Sequence, residues 1–394
     1  MTTRWLLCDL LTGRQILDLN VASGSWSTVL NTADTITLQI DMQDPAMISL
    51  GLRNAATPAK TVLAVSEDDT IMAAGPIWTR KYDRDAKTLE LGAKGIWSYF
   101  DHRYIQQLLA ATIDVTTFTL PDPDNEGGSI ANPALTTELN GYDLGTIAMK
   151  LMELAQSWTG GNIPLVFPPD RAGYRERNYL GADFTNLGEA LRQLTAVDNG
   201  PDISFAPRFT SDRLGIEWVV STGTEDQPML FSNSTPHWDL TLPESSASNL
   251  EVDEDASDIA SLAWQTGGRS DDEVLVARAY DPTLLGLGYP LYEVLDSSHS
   301  SVSEQDTLDA YAQEATVFGR GAVETWTFTA EAHQQPVVGS YSVGDFVSLT
   351  IAAYDTTNGS GDPYLPPGTY SQRIVGISGD QDGEQLKITC APGR

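Results

Sequence analysis

Apolar residues occupy every second position of residues 35–40, with Ile36, Leu38 and Ile40 alternating with Thr35, Thr37 and Gln39, which predicts a strand with one buried face. Residues 24–30, around Trp26, read as the strand before it. Residues 6–9 and 15–19 flank a turn at Gly13 and predict an opening hairpin. The stretch 61–100 organises the first part of the chain. Residues 61–65 form an apolar, β-branched run, Glu67, Asp68 and Asp69 supply a turn, and Ile71 to Ala73 resume the apolar character. Gly75 and Pro76 are expected to break the ladder; residues 77–82 then lead to a polar turn at 83–85 and a returning strand at 89–91. Trp97, Tyr99 and Phe100 follow beside Gly92 and Gly95, a composition suited to closing a barrel or docking a helix. Several antiparallel strands in residues 1–100 suffice for a small closed barrel or a sandwich.

The period then changes. Residues 104–109 read as helical, and 121–128 as an acidic Pro/Gly loop. Asp143 caps a helix with Leu144, Ile147, Leu151, Leu154 and Trp158 on one stripe, ended by Gly160 and Gly161. Asn186 opens a second helix with Leu187, Leu191 and Leu194 inward. Their expected partner is a small sheet from residues 203–209 and 214–220, giving an α+β unit over 101–220. Residues 221–258, rich in Ser, Thr, Pro, Asp and Glu, read as long surface connections. In the mixed region 221–320, 274–277 is a strand and Ser303 to Asp306 is a capping pattern before a helix that buries Leu308, Tyr311, Ala312 and Ala315 and stops at Gly319. Residues 325–329, 343–351, 373–377 and 386–390 return to β character, so 321–394 reads as a second barrel. The class is a β-rich α+β chain.

Composition supports a globular chain of two to four domains: 394 residues, 41% hydrophobic, 33 Gly and 21 Pro. With 23 Lys and Arg against 54 Asp and Glu the formal charge is -31, which repels phosphate backbones and anionic lipid and disfavours sequence-specific DNA binding. An acidic surface still suits DNA that must slide past without sticking. Cys8 and Cys390 have no metal or redox spacing and read as free buried thiols. The first residues are too short an apolar run for a signal peptide, and no stretch reads as a membrane span, so synthesis in a cytoplasm is expected.

Catalytic and metal patterns are scarce. His102, His237, His299 and His333 are scattered, and no nucleophile elbow, phosphate loop or dinucleotide fingerprint occurs. Gly267 and Gly268 read as a turn. Asp122 to Gly127 superficially resembles the start of a calcium loop, but its twelfth position is Pro133, which carries no carboxylate. Paired carboxylates are too common here to indicate glycoside hydrolysis. No catalytic residue, cofactor or metal is expected. The aromatics read as core, with a sugar-stacking platform as the rival.

Three stretches carry a family resemblance: Gly24-Ser25-Trp26-Ser27-Thr28-Val29-Leu30-Asn31; Ala74-Gly75-Pro76-Ile77-Trp78 with Leu89-Glu90-Leu91, Ile96-Trp97-Ser98-Tyr99-Phe100 and Arg103-Tyr104-Ile105; and Val343-Gly344-Asp345-Phe346-Val347 with Tyr370-Ser371-Gln372-Arg373-Ile374-Val375-Gly376-Ile377. In these the chain resembles the tail hub, or baseplate hub, proteins of long-tailed bacteriophages, a class of minor tail protein. The resemblance implies two tube-type β-barrels per chain with α+β domains between them, and a homotrimer whose six barrels form a pseudo-sixfold ring. That ring joins the sixfold tail tube to a threefold tip. Its implied partners are the distal tail or tail tube ring, other tail tip proteins, the tape measure protein and DNA in the lumen; the place is the virion tail tip. Trp26, Trp78, Trp97, Tyr99, Phe100, Trp326 and Phe346 are the expected barrel core or interface residues. The rival function is a receptor- or carbohydrate-binding tail protein.

Overall fold

The computed structural model describes residues 3–107, 118–197, 199–270, 273–297, 302, 305–357 and 359–392. The first hundred residues form β1 (Thr3–Asp9), β2 (Gln15–Leu19), β3 (Ser23–Val29), β4 (Thr35–Asp41), α1 (Pro45–Ser49), α2 (Leu52–Ala55), β5 (Thr61–Glu67), β6 (Thr70–Asp83), β7 (Thr88–Lys94) and α3 (Trp97–Phe100). The opening hairpin turns at Gly13, whose φ of 70° is left-handed. Gly75 and Pro76 do not end the ladder as expected. β6 runs straight through them and changes partner there: Pro76 is the last residue on β5, and Ile77 the first on β7. Proline tolerates the place because one ladder has ended before the next begins, and glycine is required because a Cβ would run into the Lys94 carbonyl.

The next part contains β8 (Thr119–Pro121), β9 (Ser129–Ala131), β10 (Thr137–Tyr142), α4 (Leu144–Gln156), β11 (Leu165–Val166), β12 (Arg175–Tyr179), α5 (Leu187–Ala196), β13 (Ile203–Phe209) and β14 (Ile216–Thr222). The caps fall where expected: Asp143 accepts from Thr146 N at 2.6 Å and Asn186 from Glu189 N at 3.0 Å. The acidic loop is the tip of the β8–β9 hairpin. Residues 104–107 are not helical. Tyr104 bridges Asn186 and Ile105 N donates to Thr185 O at 2.9 Å, so the segment is spent on positioning α5; Leu108 and Leu109 lie outside the described residues.

The remainder forms β15 (His237–Asp239), β16 (Ala247–Asp255), β17 (Leu262–Ser270), β18 (Glu273–Tyr280), α6 (Thr283–Gly286), β19 (Glu293–Asp296), α7 (Gln305–Phe318), β20 (Val323–Glu331), β21 (Phe346–Ile351), β22 (Gly368–Asp380) and β23 (Gln385–Ala391). Two expectations change. Residues 221–258 are not only connections, because β15 and β16 lie there and both join the main sheet. Gly267 and Gly268 are a bulge within β17, between Thr266 and Arg269, not a turn. The start of the α7 capping pattern, Ser303 and Glu304, lies outside the described residues.

Among the described residues the main sheet has 13 strands in the order β16-β20-β23-β22-β3-β4-β7-β6-β5-β1-β2, with β21 and β15 added beside β22. No closed barrel forms in these ladders. β3 gives one edge to β4 and the other to β22, from Val29 opposite Gly376 to Ser25 opposite Asp380, so N-terminal and C-terminal strands share one sheet. The expected hydrogen-bonded closure of each end on itself is replaced by that shared ladder, and β2 and β16 remain as edges.

The burial pattern follows. One apolar core runs from Trp5, Leu7, Trp26 and Leu63 to Trp238, Trp326, Phe328, Leu349 and Cys390, so residues from both ends of the chain fill it. The opposite faces of β1 and β5, Leu6, Cys8, Val62 and Ala64, belong to a second core with α3, α4, α5, β13 and β14. Strands covered on both faces need continuous apolar runs, which is why residues 61–65 do not alternate. Both cysteines are free and buried, and burial pushes each thiol up to about 12. No helix among the described residues is long and apolar enough to cross a membrane.

Candidate functional site

The features that bind distant parts of the chain together converge where the N-terminal strands, the α+β part and the C-terminal strands meet. β22 begins its apolar run with Arg373, which is 4% exposed. Its Nε donates to Gly344 O at 2.9 Å and its second nitrogen to Leu230 O at 2.9 Å and to the Asp202 carboxylate. Asp202, also buried, further accepts from Asn31 Nδ2 and Leu230 N, both at 2.9 Å. Asn31 Oδ1 in turn accepts from Ile203 N at 2.8 Å. A buried ion pair is tolerable only when the remaining donors and acceptors are also met, and here Asn31, Leu230 and Gly344 meet them.

A second buried carboxylate extends the clasp. Asp345 accepts from Ser232 N at 2.5 Å and Ser342 N at 2.8 Å, tying the segment after β14 to the turn before β21. Gly344 takes φ 102°, and a Cβ there would crowd the Leu230 carbonyl. Phe346 packs its ring 5.3 Å from Phe231, with the Arg373 guanidinium 6.0 Å away on its face.

Beside the clasp lies a cavity of about 260 Å³ walled by Trp26, Asn31 and Asp34 from one side, Trp97 and Phe205 from another, and Tyr341 and Ile377 from a third. Asp34 is half-buried in its wall. Burial pushes its carboxyl up to about 7, against the weak donation of Val29 N at 3.4 Å. Tyr341 OH and Trp238 Nε1 are buried without a hydrogen-bond partner, their rings 5.3 Å apart.

The seven aromatics singled out in the sequence do not gather into one site. Trp26 is buried in the shared core and touches the cavity. Trp97, Tyr99 and Phe100 form the α3 contact with the α+β part: Trp97 Nε1 donates to Gly188 O at 3.3 Å, Tyr99 OH to Gly161 O at 3.3 Å, and Phe100 lies 5.7 Å from Phe205. Trp78 is half-buried, donates to Ser98 Oγ at 2.8 Å and stacks on His102 at 4.4 Å. Trp326 is fully buried, 4.9 Å from Tyr370. Phe346 sits at the clasp.

Asp202 carries no motif, and Asn31 enters only as the last residue of the first resemblance stretch, with no role attached to it. The available signal was an Arg opening the apolar run of residues 373–377, a place where a charge needs a buried partner. Among the described residues no cluster of His, Cys, Asp and Glu is placed to hold a metal, and His299 lies outside them.

No family model and no curated protein matches the sequence. The structure is similar to that of the tail protein from Neisseria meningitidis MC58, with a TM-score of 0.53 and 14% identity over 100% of this chain and 97% of that one. It is also similar to the 43 kDa tail protein of prophage MuSo2 from Shewanella oneidensis, with a TM-score of 0.54 and 12% identity over 99% of this chain and 98% of that one. Both are matched nearly end to end, and the fold of this chain is that of phage tail proteins.

Proposed function

We propose that the protein is a structural component of the phage virion, the central hub of the tail tip, and not an enzyme. In this reading three copies associate, each bringing two tube-type β units, residues 1–100 and 321–394, with 101–220 and 221–320 between them. Six such units form a pseudo-sixfold ring that joins the sixfold tail tube to a threefold tip. Its neighbours are the distal tail or tube ring, other tip proteins and the tape measure protein.

The observation that carries the reading is the β3–β22 ladder, which sets the two terminal β units side by side in one sheet, as adjacent positions of a ring require. The clasp at Arg373 and Asp202 holds the pair and the α+β part in one orientation. The formal charge of -31 suits a channel through which DNA passes without adhering. Immunogold labelling of intact virions and disrupted tails with antibody against this chain tests the proposal. Label at the tail tip is expected. Label along a fibre would favour receptor binding instead, and absence from purified particles would overturn the reading.

A further inference from the structure

The cavity beside the clasp holds a charge that the chain itself does not use. Of the residues that wall its volume of about 260 Å³, Asp34 alone is charged. Its carboxylate accepts one long bond, from Val29 N at 3.4 Å, and its other oxygen, Oδ2, accepts none from the described residues. No basic side chain offsets the charge: only burial and Val29 N act on it, and Lys94, opposite Thr35 on β7, is exposed and makes no ion pair with it. The position of Asp34 is nonetheless fixed. Gly95 N donates to Asp34 O at 2.9 Å, and Gly95 leaves the carboxylate its room, since a Cβ there would lie 3.0 Å from Oδ2. An acid whose ionisation costs stability, set in a cavity wall with no partner, is a group placed for a ligand.

The rest of the wall selects the ligand's chemistry. Trp26, Trp97, Phe205 and Tyr341 bring aromatic rings from the three converging parts of the chain, and the Tyr341 hydroxyl is buried without a partner. Such rings attract a cation electrostatically and cover an aliphatic stem, while a carboxylate takes the N–H donors of an ammonium. A formal charge of -31 on the whole chain draws cations toward the cavity and repels anions. At about 30 Å³ per water, the space holds roughly eight waters, or an organic molecule of about as many heavy atoms.

We propose that this cavity binds a small primary aliphatic amine as its ammonium ion, with Asp34 as the counter-charge and the aromatic wall around the carbon stem. The cation needs Asp34 ionised, and in the free protein that carboxyl titrates at about 7, so affinity rises about tenfold per pH unit below 7 and levels off above it. Tyr341, the other titratable side chain of the wall, stays protonated because burial pushes its hydroxyl up. Beyond Asn31, Arg373 and Asp202 already neutralise each other. Isothermal titration calorimetry of the full chain with n-butylamine is the test. At pH 8 one saturable site per chain is expected. At pH 6 binding releases a proton from Asp34, read as a heat that changes with the buffer. Butanol and butyrate, which keep the stem and lose the positive charge, bind at least about tenfold more weakly. Asp34→Asn loses at least about tenfold in affinity for butylamine and all of its pH dependence, with unchanged circular dichroism. Butanol binding as well as butylamine would make the cavity an uncharged apolar pocket and overturn the proposal. Butylamine binding equally to Asp34→Asn would place the amine elsewhere on the acidic surface and overturn it too, as would no saturable binding by wild type. Tighter binding of Nα-acetyl-lysine N-methylamide than of butylamine would reassign the cavity to a neighbouring protein's lysine and overturn the small-molecule ligand.

Discussion

Replacing Asp202 by Ala leaves the buried Arg373 guanidinium without its counter-charge. The expected loss is about 3–5 kcal/mol, the usual result of breaking one side of a buried pair, read as a lower urea midpoint by tryptophan fluorescence. Asp202→Asn combined with Arg373→Met costs less than the two single changes together, because no uncompensated charge remains. Asp34 behaves in the opposite sense. Its folded pKa, about 7, lies above the ordinary carboxylate value, so the stability it contributes is full below about pH 4 and lost as pH rises to 7. Asp34→Asn is therefore expected to match wild type at pH 4 and exceed it at pH 8 by about 1–2 kcal/mol, kept small because the carboxyl still meets solvent in the cavity. Denaturant titrations of both proteins at the two pH values check this. Neither role was legible in the sequence. Asp202 and Arg373 are 171 positions apart, and the two acids differ from their 52 fellows only in what surrounds them.

At the scale of elements, the two longest strands do the same job. β6 passes from β5 to β7, and β22 from β21 to β23 and β3, so each carries one ladder into the next. Gly75 is where β6 turns that corner, and Gly75→Ala forces the Lys94 carbonyl aside. A loss of about 2 kcal/mol or more is expected in thermal unfolding, whereas Ala at the open Gly286 position changes little. Local elements were readable because their causes are local. The apolar run of β5 announced a strand, and Asp143 and Asn186 announced α4 and α5. β16 was missed because an edge strand exposes Glu251, Asp253 and Glu254 to solvent and half-buries only Leu250 and Val252, which resembles a polar loop. Tyr104 to Gln107 had a helical look but spend their backbone on the approach to α5.

For the whole molecule, β character at both ends was legible, and their union was not. Trp26 marks β3 as a strand with a side chain to bury; it does not say which strand lies beside it. The ladder to β22 depends on a partner far along the chain: Thr28 donates to the Ile377 carbonyl across 349 residues. That separation gives the sheet a clock. At roughly 5–20 residues per second, the ribosome finishes β3 about 20–70 s before its partner strand exists. Through that interval the nascent N-terminal strands present an unpaired row of backbone groups, and pairings of this range are the slowest a chain makes. The N-terminal half must stay unaggregated with an open edge until β22 arrives, and the acid-rich stretch made in between supplies the self-repulsion that keeps the waiting chain soluble.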